Sequence, residues 1–257
     1  MSSQDKCYIV TGGSSGIGAA SVQLLAERGA KVVFASNQKA EGESLERKLK
    51  DQGRSVRFVF TDAADEQSVK QLVDQAASWG GTIDGVMANA GVWRQGDALQ
   101  ATRADLDLLM GVNVMGAVWL ARHYVQLLVK TRRTGVMLIT TSVAAHIGFP
   151  AHVLYCASKA AAESLVRCLA TDHAGVMRVV GLCPGTIDTP MLAATCAGWN
   201  KTKDEIYADV RRRIPVRRMG EPMDVAHTAA FLISDEAGYI NGTSIILDGG
   251  TMALPPW

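Results

Sequence analysis

A tyrosine and a lysine four residues apart, Tyr155 and Lys159, are the side chains of this sequence best suited to acid/base chemistry. They fall in a segment with helical spacing, so both lie on one face of a helix, one turn apart. A free tyrosine, with a pKa of ~10, is a poor base at neutral pH, and a nearby fixed cation lowers that pKa. The pair predicts a proton-exchanging site in which Lys159 favours the phenolate, although this spacing also arises by chance.

A glycine-rich turn near the start of the chain is suited to holding a phosphate group. The stretch from Val10 to Gly18 has the pattern T-G-x-x-x-G-x-G, with Gly12 and Gly16 between a predicted strand and a predicted helix. Glycines there let backbone N–H groups and the helix N-terminus approach a pyrophosphate closely. The turn therefore predicts dinucleotide binding. The alternative, a loop that is merely flexible, explains the order strand, turn, helix less well.

Short apolar runs alternate with helical segments along the chain, and these elements must position both sites. The runs expected to form strands are Cys7–Val10, Val32–Ala35, Val56–Phe60, Val86–Ala88, Val136–Thr140, Val179–Cys183 and Ser244–Leu247. The segments with helical spacing are Ala19–Arg28, Ala40–Gln52, Glu66–Trp79, Asp105–Lys130, Val153–Ala170 and Pro222–Ile233. The alternation predicts one α/β domain over residues 1–257, a doubly wound fold whose seven-stranded parallel sheet has helices on both faces.

Composition and charge narrow the class of partner. The 257 residues are 48% hydrophobic and 20% charged and carry a net charge of +1, as ordinary globular chains do. This balance removes the main reason to expect nucleic acid or an acidic membrane as partner, so a small molecule is the expected ligand. We expect a cytoplasmic protein, because residues 1–10 lack the features of a secretory signal. We expect no metal site, because the cysteines form no C-x-x-C pair.

Further motifs follow in a fixed order around the two sites. They are Asn89-Ala90-Gly91, Asn113, Ser142, Pro184-Gly185-Thr186 and Leu247-Asp248-Gly249-Gly250. With the glycine turn and the Tyr-x-x-x-Lys pair, they make the chain resemble the short-chain dehydrogenases/reductases over nearly its whole length. The resemblance implies a Rossmann-type fold and an enzyme that transfers a hydride between a nicotinamide cofactor and the secondary alcohol or ketone of a substrate.

The resemblance also implies a role for each matching residue. Tyr155 would exchange a proton with the substrate oxygen, while Lys159 would lower its pKa and hydrogen-bond the nicotinamide ribose. Ser142 would hold the substrate oxygen and Asn113 would seat a water on the proton path, although singly they also fit a strand-end cap and a buried helix amide. The cofactor-binding residues implied, besides Tyr155 and Lys159, are Gly12, Ser14, Ser15, Gly16, Ile17, Gly18, Ser36, Asn37, Asp62, Ala63, Asn89, Ala90, Gly91, Pro184, Gly185, Thr186, Ile187 and Thr189.

The end of the second predicted strand, Phe34–Asn37, bears on the choice of cofactor. An acid there selects NAD through the ribose hydroxyls, whereas NADP needs that acid absent and a cation near the 2′-phosphate. No Asp or Glu is present, and Lys39 is the nearest cation. We expect NADP to be slightly preferred, with NAD or the use of both left open. Asp62 and Ala63 resemble the family's adenine contact, or form a plain turn.

By the same resemblance, the substrate pocket would be lined by Trp93, Arg94, His146, His152 and Trp199. These side chains predict a small polar substrate such as a sugar, a polyol or a hydroxy acid, because a fatty or steroidal one would leave buried polar groups unpaired. The alternative is that Trp93, Arg94 and His146 face solvent or another subunit. The segment 187–215 is long for a connection and is expected to form a mobile lid.

Two other functions stay open at this point. Within enzymes, the alternative is a 3-oxoacyl-carrier or general carbonyl reductase, with Arg132-Arg133 as the obvious surface for docking a carrier. Outside enzymes, the alternative is a non-catalytic dinucleotide sensor, which has no reason to keep Asn113, Ser142, Tyr155 and Lys159 together.

The segment Asp105–Lys130 has more apolar positions than one sheet-facing stripe needs, and the chain ends with the apolar residues Leu254–Trp257. Both features predict a homotetramer, as is common in the resembled family.

Overall fold

The architecture is a doubly wound parallel sheet, seen in a computed structural model that describes residues 3–196 and 202–253. The strands run in the order β3-β2-β1-β4-β5-β6-β7. They are β1 (Cys7–Thr11), β2 (Lys31–Ser36), β3 (Val56–Phe60), β4 (Gly85–Ala88), β5 (Gly135–Thr140), β6 (Met177–Pro184) and β7 (Thr243–Leu247). All pair in parallel, which confirms the predicted sheet. The strand order reverses at the neighbours β1 and β4, so a crevice opens at their carboxyl ends.

The helices lie at or near the predicted segments, with two more after β6. They are α1 (Gly16–Glu27), α2 (Lys39–Asp51), α3 (Glu66–Gly80), α4 (Arg103–Met110), α5 (Gly116–Thr131), α6 (Val153–Asp172), α7 (Pro190–Cys196), α8 (Lys203–Arg213) and α9 (Pro222–Leu232). Local chemistry explains several of their starts. Asp65 caps α3 by accepting from Gln67 N, and Thr202 and Glu205 form a capping box on α8.

The predicted helical segment Asp105–Lys130 lies within one continuous helical run, Arg103–Thr131, in which a π turn at Gly111–Met115 separates α4 from α5. Close packing accompanies this turn, since a Cβ on Gly116 would lie 2.9 Å from the Ala63 carbonyl oxygen. A π turn adds a residue to one helical turn, and such turns recur at functional sites. Here it contains Asn113, which is 5% exposed. Hydrophobic spacing alone does not reveal an insertion of this kind.

Two apolar layers cover the faces of the sheet. Alternate residues of β1 point to opposite faces: Cys7 and Ile9 pack with α3, α5 and α6, whereas Tyr8 and Val10 pack with α1 and α9. A third, smaller cluster lies apart from the sheet and includes Ile206 and Tyr207 of α8. The segment between β6 and α9 therefore has apolar packing of its own.

The surface of α5 keeps apolar residues that the sheet does not cover. Val118 and Val125 are half-buried, and Val129 is 61% exposed. By length and composition the run Arg103–Thr131 is apolar enough to cross a membrane, with 39% of its most apolar window buried. Buried helices of globular proteins pass the same test, and α5 packs against α3 and α6.

Candidate active site

The glycine turn between β1 and α1 has the geometry of a phosphate cradle. Gly12 and Gly16 have φ values of +64° and +51°, in the left-handed region that favours glycine. A Cβ on Gly18 would overlap the Gly12 carbonyl oxygen, and one on Gly12 would lie 2.8 Å from Ala90 Cα. The first turn of α1 has no acidic residue, and its N-cap Ser15 makes no side-chain capping bond. These features fit a dinucleotide pyrophosphate.

Asn89 ties together three strand ends behind the glycine turn. Its Nδ2 donates to the carbonyl oxygens of Thr11 (3.2 Å) and Gly12 (3.3 Å), and its Oδ1 accepts from Thr140 Oγ1 (3.2 Å). The Thr11 hydroxyl oxygen accepts in turn from the backbone N–H groups of Asn89 and Ala90, both at 3.1 Å. The Asn89 side chain thus positions the turn, while contact with the cofactor stays a prediction.

Ser36, at the end of β2, sits beside the glycine turn. Its hydroxyl oxygen lies 2.8 Å from Ser14 Oγ and accepts from Gln38 N at 3.0 Å. Ser14 Oγ is also 3.1 Å from Gln38 Oε1. The nearby cation Lys39 lies 3.9 Å from the Glu43 carboxylate, through a side chain that is 70% exposed. This corner of the crevice is therefore lined by neutral hydroxyl and amide groups.

The turn after β3 contains Asp62 and Ala63. Asp62 Oδ1 accepts from Ala64 N at 2.9 Å, and Asp62 N donates to Ser68 Oγ at 3.0 Å. These bonds are those of a plain turn leading into α3, and the predicted adenine contact stays a prediction.

Tyr155, Lys159 and Ser142 meet at the carboxyl ends of β5 and β6. The Ser142 hydroxyl accepts from Ala144 N at 3.1 Å, so it is a cap, and it lies close enough to the Tyr155 phenol to affect its pKa. Burial raises the pKa of Tyr155, and the Ser142 hydroxyl partly offsets this rise. The lowering of that pKa by Lys159, expected from the sequence, stays a prediction.

Lys159 is itself changed by its surroundings. It is 6% exposed, and its Nζ donates to the Thr140 carbonyl oxygen at 3.0 Å. Burial lowers the pKa of Lys159 to about 8, with a smaller opposing effect from Cys183. Because the low-dielectric surroundings disfavour the ammonium form, this side chain can change its protonation state near neutral pH.

Asn113 clamps the loop that follows β4. Its Oδ1 accepts from Val92 N at 2.8 Å, and its Nδ2 donates to the Val92 carbonyl oxygen and to Ser158 Oγ, both at 3.0 Å. A Cβ on Gly91 would lie 3.5 Å from Asn113 Oδ1 and 3.6 Å from Lys159 Nζ, which places all three together. The Asn113 amide thus serves as the buried structural amide that the sequence left open as an alternative. Its role in seating a water on the proton path stays a prediction.

The segment after β6 closes the crevice from the other side. Gly185 N donates to the Leu247 carbonyl oxygen at 2.9 Å, and the Thr186 carbonyl oxygen accepts from Gly220 N at 3.1 Å. Thr189 Cγ2 lies 3.3 Å from where a Cβ on Gly16 would be. The predicted cofactor residue Thr189 therefore reaches the glycine turn, and Ile17 packs on the core below it.

An aromatic cluster stands beside Tyr155. The imidazole ring of His152 lies 5.5 Å from the ring of Trp93, 6.2 Å from that of Phe149 and 6.4 Å from that of Tyr155, between centroids. The last two contacts are edge-on, a favourable geometry for aromatic pairs. Two of the predicted substrate residues, Trp93 and His152, are thus brought to the reacting phenol.

The structure does not bring the other predicted substrate residues into this cluster. Arg94 is exposed, with Nη1 donating to the Trp93 carbonyl oxygen (2.9 Å) and Nε 3.6 Å from Asp105 Oδ1. His146 instead lines a cavity of about 240 Å³ between α6 and β7, where its Nε2 lies 4.0 Å from Glu163 Oε1. Trp199 lies outside the described residues.

Comparison with known proteins assigns the family. A sequence profile described as enoyl-(acyl carrier protein) reductase matches residues 12–252. Cis-4-hydroxycyclohexanecarboxylate dehydrogenase of Sinomonas cyclohexanicum is 33% identical, over 97% of this chain and 98% of that protein. Meso-2,3-butanediol dehydrogenase of Serratia marcescens is also 33% identical, over 98% of this chain and 97% of that protein. The chain belongs to the short-chain dehydrogenase/reductase family.

The fold is also similar to the solved structure of levodione reductase. The two chains superpose with a TM-score of 0.93 and are 27% identical in sequence, and the match covers 98% of this chain and 99% of that chain. As a member of the family, this short-chain dehydrogenase is an NAD(P)-dependent oxidoreductase that interconverts alcohols and ketones.

Two residues of this short-chain dehydrogenase site were not predicted from the sequence. Gln38 contacts Ser14, and Thr140 bonds both Asn89 and Lys159. Gln38 and Thr140 follow or end predicted strands, so their position at the carboxyl edge of a parallel sheet was the available signal.

Proposed function

We propose that this short-chain dehydrogenase oxidises a secondary alcohol, or reduces the matching ketone, on a small polar substrate, with Tyr155 as the acid/base. The observation that carries the proposal is that Ser142 and Tyr155 lie together beside the buried Lys159. A bound nicotinamide would supply the hydride acceptor or donor. Hydride leaves the carbinol carbon only as its oxygen loses a proton, so an acid/base must contact that oxygen.

The protein's own residues divide this task. Ser142 holds the substrate oxygen next to the Tyr155 phenol, which takes or returns the proton. Lys159, fixed by the Thr140 carbonyl oxygen, would hydrogen-bond the nicotinamide ribose and exchange protons with the phenol. Asn113 keeps the loop after β4 in place, so that the cofactor and the phenol stay aligned.

For the cofactor, we favour NADP slightly over NAD. The neutral groups around Ser36 support this choice, because a 2′-phosphate meets no carboxylate there. Ser36→Asp places a carboxylate against that phosphate, and like charges at contact cost several kcal/mol. The ratio of kcat/KM for NADP to that for NAD should fall by at least about tenfold, whereas neutral Ser36→Asn should keep it. An unchanged ratio in Ser36→Asp would mean that the ribose is not read at this position.

For the substrate, we favour a polyol, a sugar or a hydroxy acid. The imidazole beside Tyr155 supports a polar substrate, and the names of the two dehydrogenases above denote a diol and a hydroxy acid as substrates. The test is a turnover screen of sugars, polyols and hydroxy acids with NAD and NADP, read by nicotinamide absorbance. A fatty or steroidal ketone that outcompetes all of them would contradict this part of the proposal.

A second candidate is a 3-oxoacyl-carrier reductase, because the description of the matching profile, an enoyl-(acyl carrier protein) reductase, also denotes a carrier-linked acyl substrate. Against it, Arg133 is already 3.1 Å from the Asp84 carboxylate, so the surface for docking an acidic carrier is smaller than the sequence indicates. Including a carrier-linked 3-oxoacyl substrate in the screen separates the two candidates.

The proposal also includes a single domain, a mobile lid at residues 187–215 and a location in the cytoplasm. The hydrogen bond from Tyr207 OH to Asp188 Oδ1 (2.8 Å) supports the lid, because it links α8 to the segment beside the cofactor site. Limited proteolysis with and without cofactor tests the lid: cleavage between residues 187 and 215 should slow when the cofactor binds.

Cell fractionation tests the proposed location in the cytoplasm.

A further inference from the structure

His152 is the residue of the aromatic cluster whose ring nitrogens can be assigned. Its Nδ1 lies 2.6 Å from the Pro150 carbonyl oxygen, which can only accept a hydrogen bond. Nδ1 therefore carries the hydrogen, and the neutral ring presents Nε2 as an acceptor. Within residues 3–196 and 202–253, no other group hydrogen-bonds this ring, so Nε2 is available to a ligand.

The rings around His152 keep Nε2 in one place. Trp93, Phe149 and Tyr155 surround the imidazole, with centroid distances of 5.5, 6.2 and 6.4 Å. Since Nδ1 is tied to the backbone and three rings limit rotation, the acceptor is preorganised beside the reacting phenol. A small molecule bound to Tyr155 therefore meets this nitrogen.

The backbone before His152 is held in a conformation that costs free energy. Ala151 has a φ of +55°, in the left-handed region that favours glycine. Two hydrogen bonds to Gly96 hold it there: Gly96 N donates to the Ala151 carbonyl oxygen at 2.7 Å, and Val153 N donates to the Gly96 carbonyl oxygen at 3.3 Å. Strain maintained by surrounding bonds is frequent at ligand-binding positions.

We propose that His152 Nε2 accepts a hydrogen bond from a second hydroxyl group of the substrate, on a carbon next to the reacting one. This inference rests on the proposed function and narrows its substrate class to vicinal diols and α-hydroxyketones. A substrate carboxylate at the same place would put two acceptors face to face with no proton between them. Arg94, the cation close in sequence, is engaged with Asp105 and the Trp93 carbonyl oxygen. Hydroxy acids are therefore the poorer substrates.

The test compares substrates that differ by one hydroxyl group. The readout is the ratio of kcat/KM for butane-2,3-diol, each stereoisomer separately, to that for butan-2-ol. His152→Phe keeps a ring but removes the acceptor, and the ratio should fall by about tenfold, as for a lost hydrogen bond whose partner stays unpaired. His152→Gln, whose amide oxygen can accept at the Nε2 position, should restore much of it. Phe149→Leu, which loosens the cluster without removing the acceptor, should lower the ratio by less than His152→Phe does.

The outcomes separate this inference from the function on which it rests. A ratio unchanged in His152→Phe, or lost equally in Phe149→Leu, overturns the acceptor role while the dehydrogenase function stands. Wild-type enzyme that prefers 3-hydroxybutyrate to every vicinal diol overturns the substrate class. The best polyol of the turnover screen and its deoxy analogue form a second pair of substrates, and we expect His152→Phe to lower their kcat/KM ratio in the same way. If no secondary alcohol or ketone is turned over, the proposed function and this inference both fall.

Discussion

At the scale of single residues, the site works through groups whose protonation is set by burial. The phenol of Tyr155 is made a weaker acid by burial, and the ammonium of Lys159 a stronger one. The two shifts move the proton affinities of the two groups in opposite directions, and the nearby Ser142 hydroxyl partly offsets the rise for Tyr155. Proton exchange at this site therefore depends on where the substrate oxygen and these three side chains stand.

Removing the phenol oxygen tests the assignment of the acid/base. Tyr155→Phe keeps the ring and its edge contact with His152, so turnover should fall by at least about 10²-fold while cofactor binding is nearly kept. Steady-state kinetics and a cofactor titration give both values. Tyr239→Phe, at a fully exposed tyrosine, is the matched control. More than a tenth of wild-type turnover in Tyr155→Phe would show that another group is the base.

The buried lysine makes stability depend on pH in a defined window. Folded Lys159 releases its proton near pH 8, whereas in the unfolded chain it keeps that proton up to its ordinary pKa of 10.5. Between these values the unfolded state binds more protons, so this residue's contribution to stability rises with pH. Urea titrations at several pH values measure the difference in the free energy of unfolding between wild type and Lys159→Met. This difference should shift in favour of wild type as the pH rises from 8 to 10. With Lys39→Met, at an exposed lysine, no such slope is expected.

At the scale of elements, the order of the sheet places turns and loops from distant parts of the chain at one edge. The glycine turn after β1, the loop after β4, Ser142 after β5 and the segment after β6 all leave carboxyl ends of neighbouring strands. The Asn89 amide joins the glycine turn to the Thr140 hydroxyl, and the Asn113 amide joins the loop after β4 to the Ser158 hydroxyl. The fold thus supplies the alignment that the chemistry requires.

The tight turn before α1 tolerates no side chain at Gly18. In Gly18→Ala the new Cβ overlaps the Gly12 carbonyl oxygen, so the turn must open. We expect the free energy of unfolding to fall by about 1–3 kcal/mol and cofactor affinity to drop with it. Urea unfolding and a fluorescence titration with cofactor measure the two effects. In Gly148→Ala, where nothing lies within 4 Å, both should stay at wild-type values; equal behaviour of the two variants would refute the steric account.

At the scale of the whole molecule, two apolar layers enclose the sheet and a surplus remains on α5. Val118, Val125 and Val129 recur at helical spacing on that helix and are half-buried or exposed. Apolar faces of this kind on a globular protein mark contact surfaces. The surplus is the physical basis for the predicted homotetramer, whereas the apolar end Leu254–Trp257 lies outside the described residues.

Light scattering on size-exclusion fractions tests this assembly. At micromolar concentration the wild-type protein should have four times the mass of one chain. Val129→Asp places a charge on the apolar surface of α5 and should shift the population toward smaller species. Leu99→Asp makes the same kind of change at an exposed loop residue outside that helix and should leave the mass unchanged. A wild-type monomer would contradict the prediction.

Local patterns determined most of the fold and the identity of the reacting groups. The strands, most helix positions, the glycine turn and the Tyr155–Lys159 pair follow from period, turn chemistry and spacing within a few residues. Only the tertiary structure decided the rest, because it depends on groups far apart in the chain. Burial raises the pKa of Tyr155, and Asn113 bonds a loop that its π turn brings close. His152 and His146 are six residues apart, yet they lie at different sites. His152 faces the Tyr155 phenol, after the strained backbone at Ala151. His146 faces a separate cavity where α6 packs on β7.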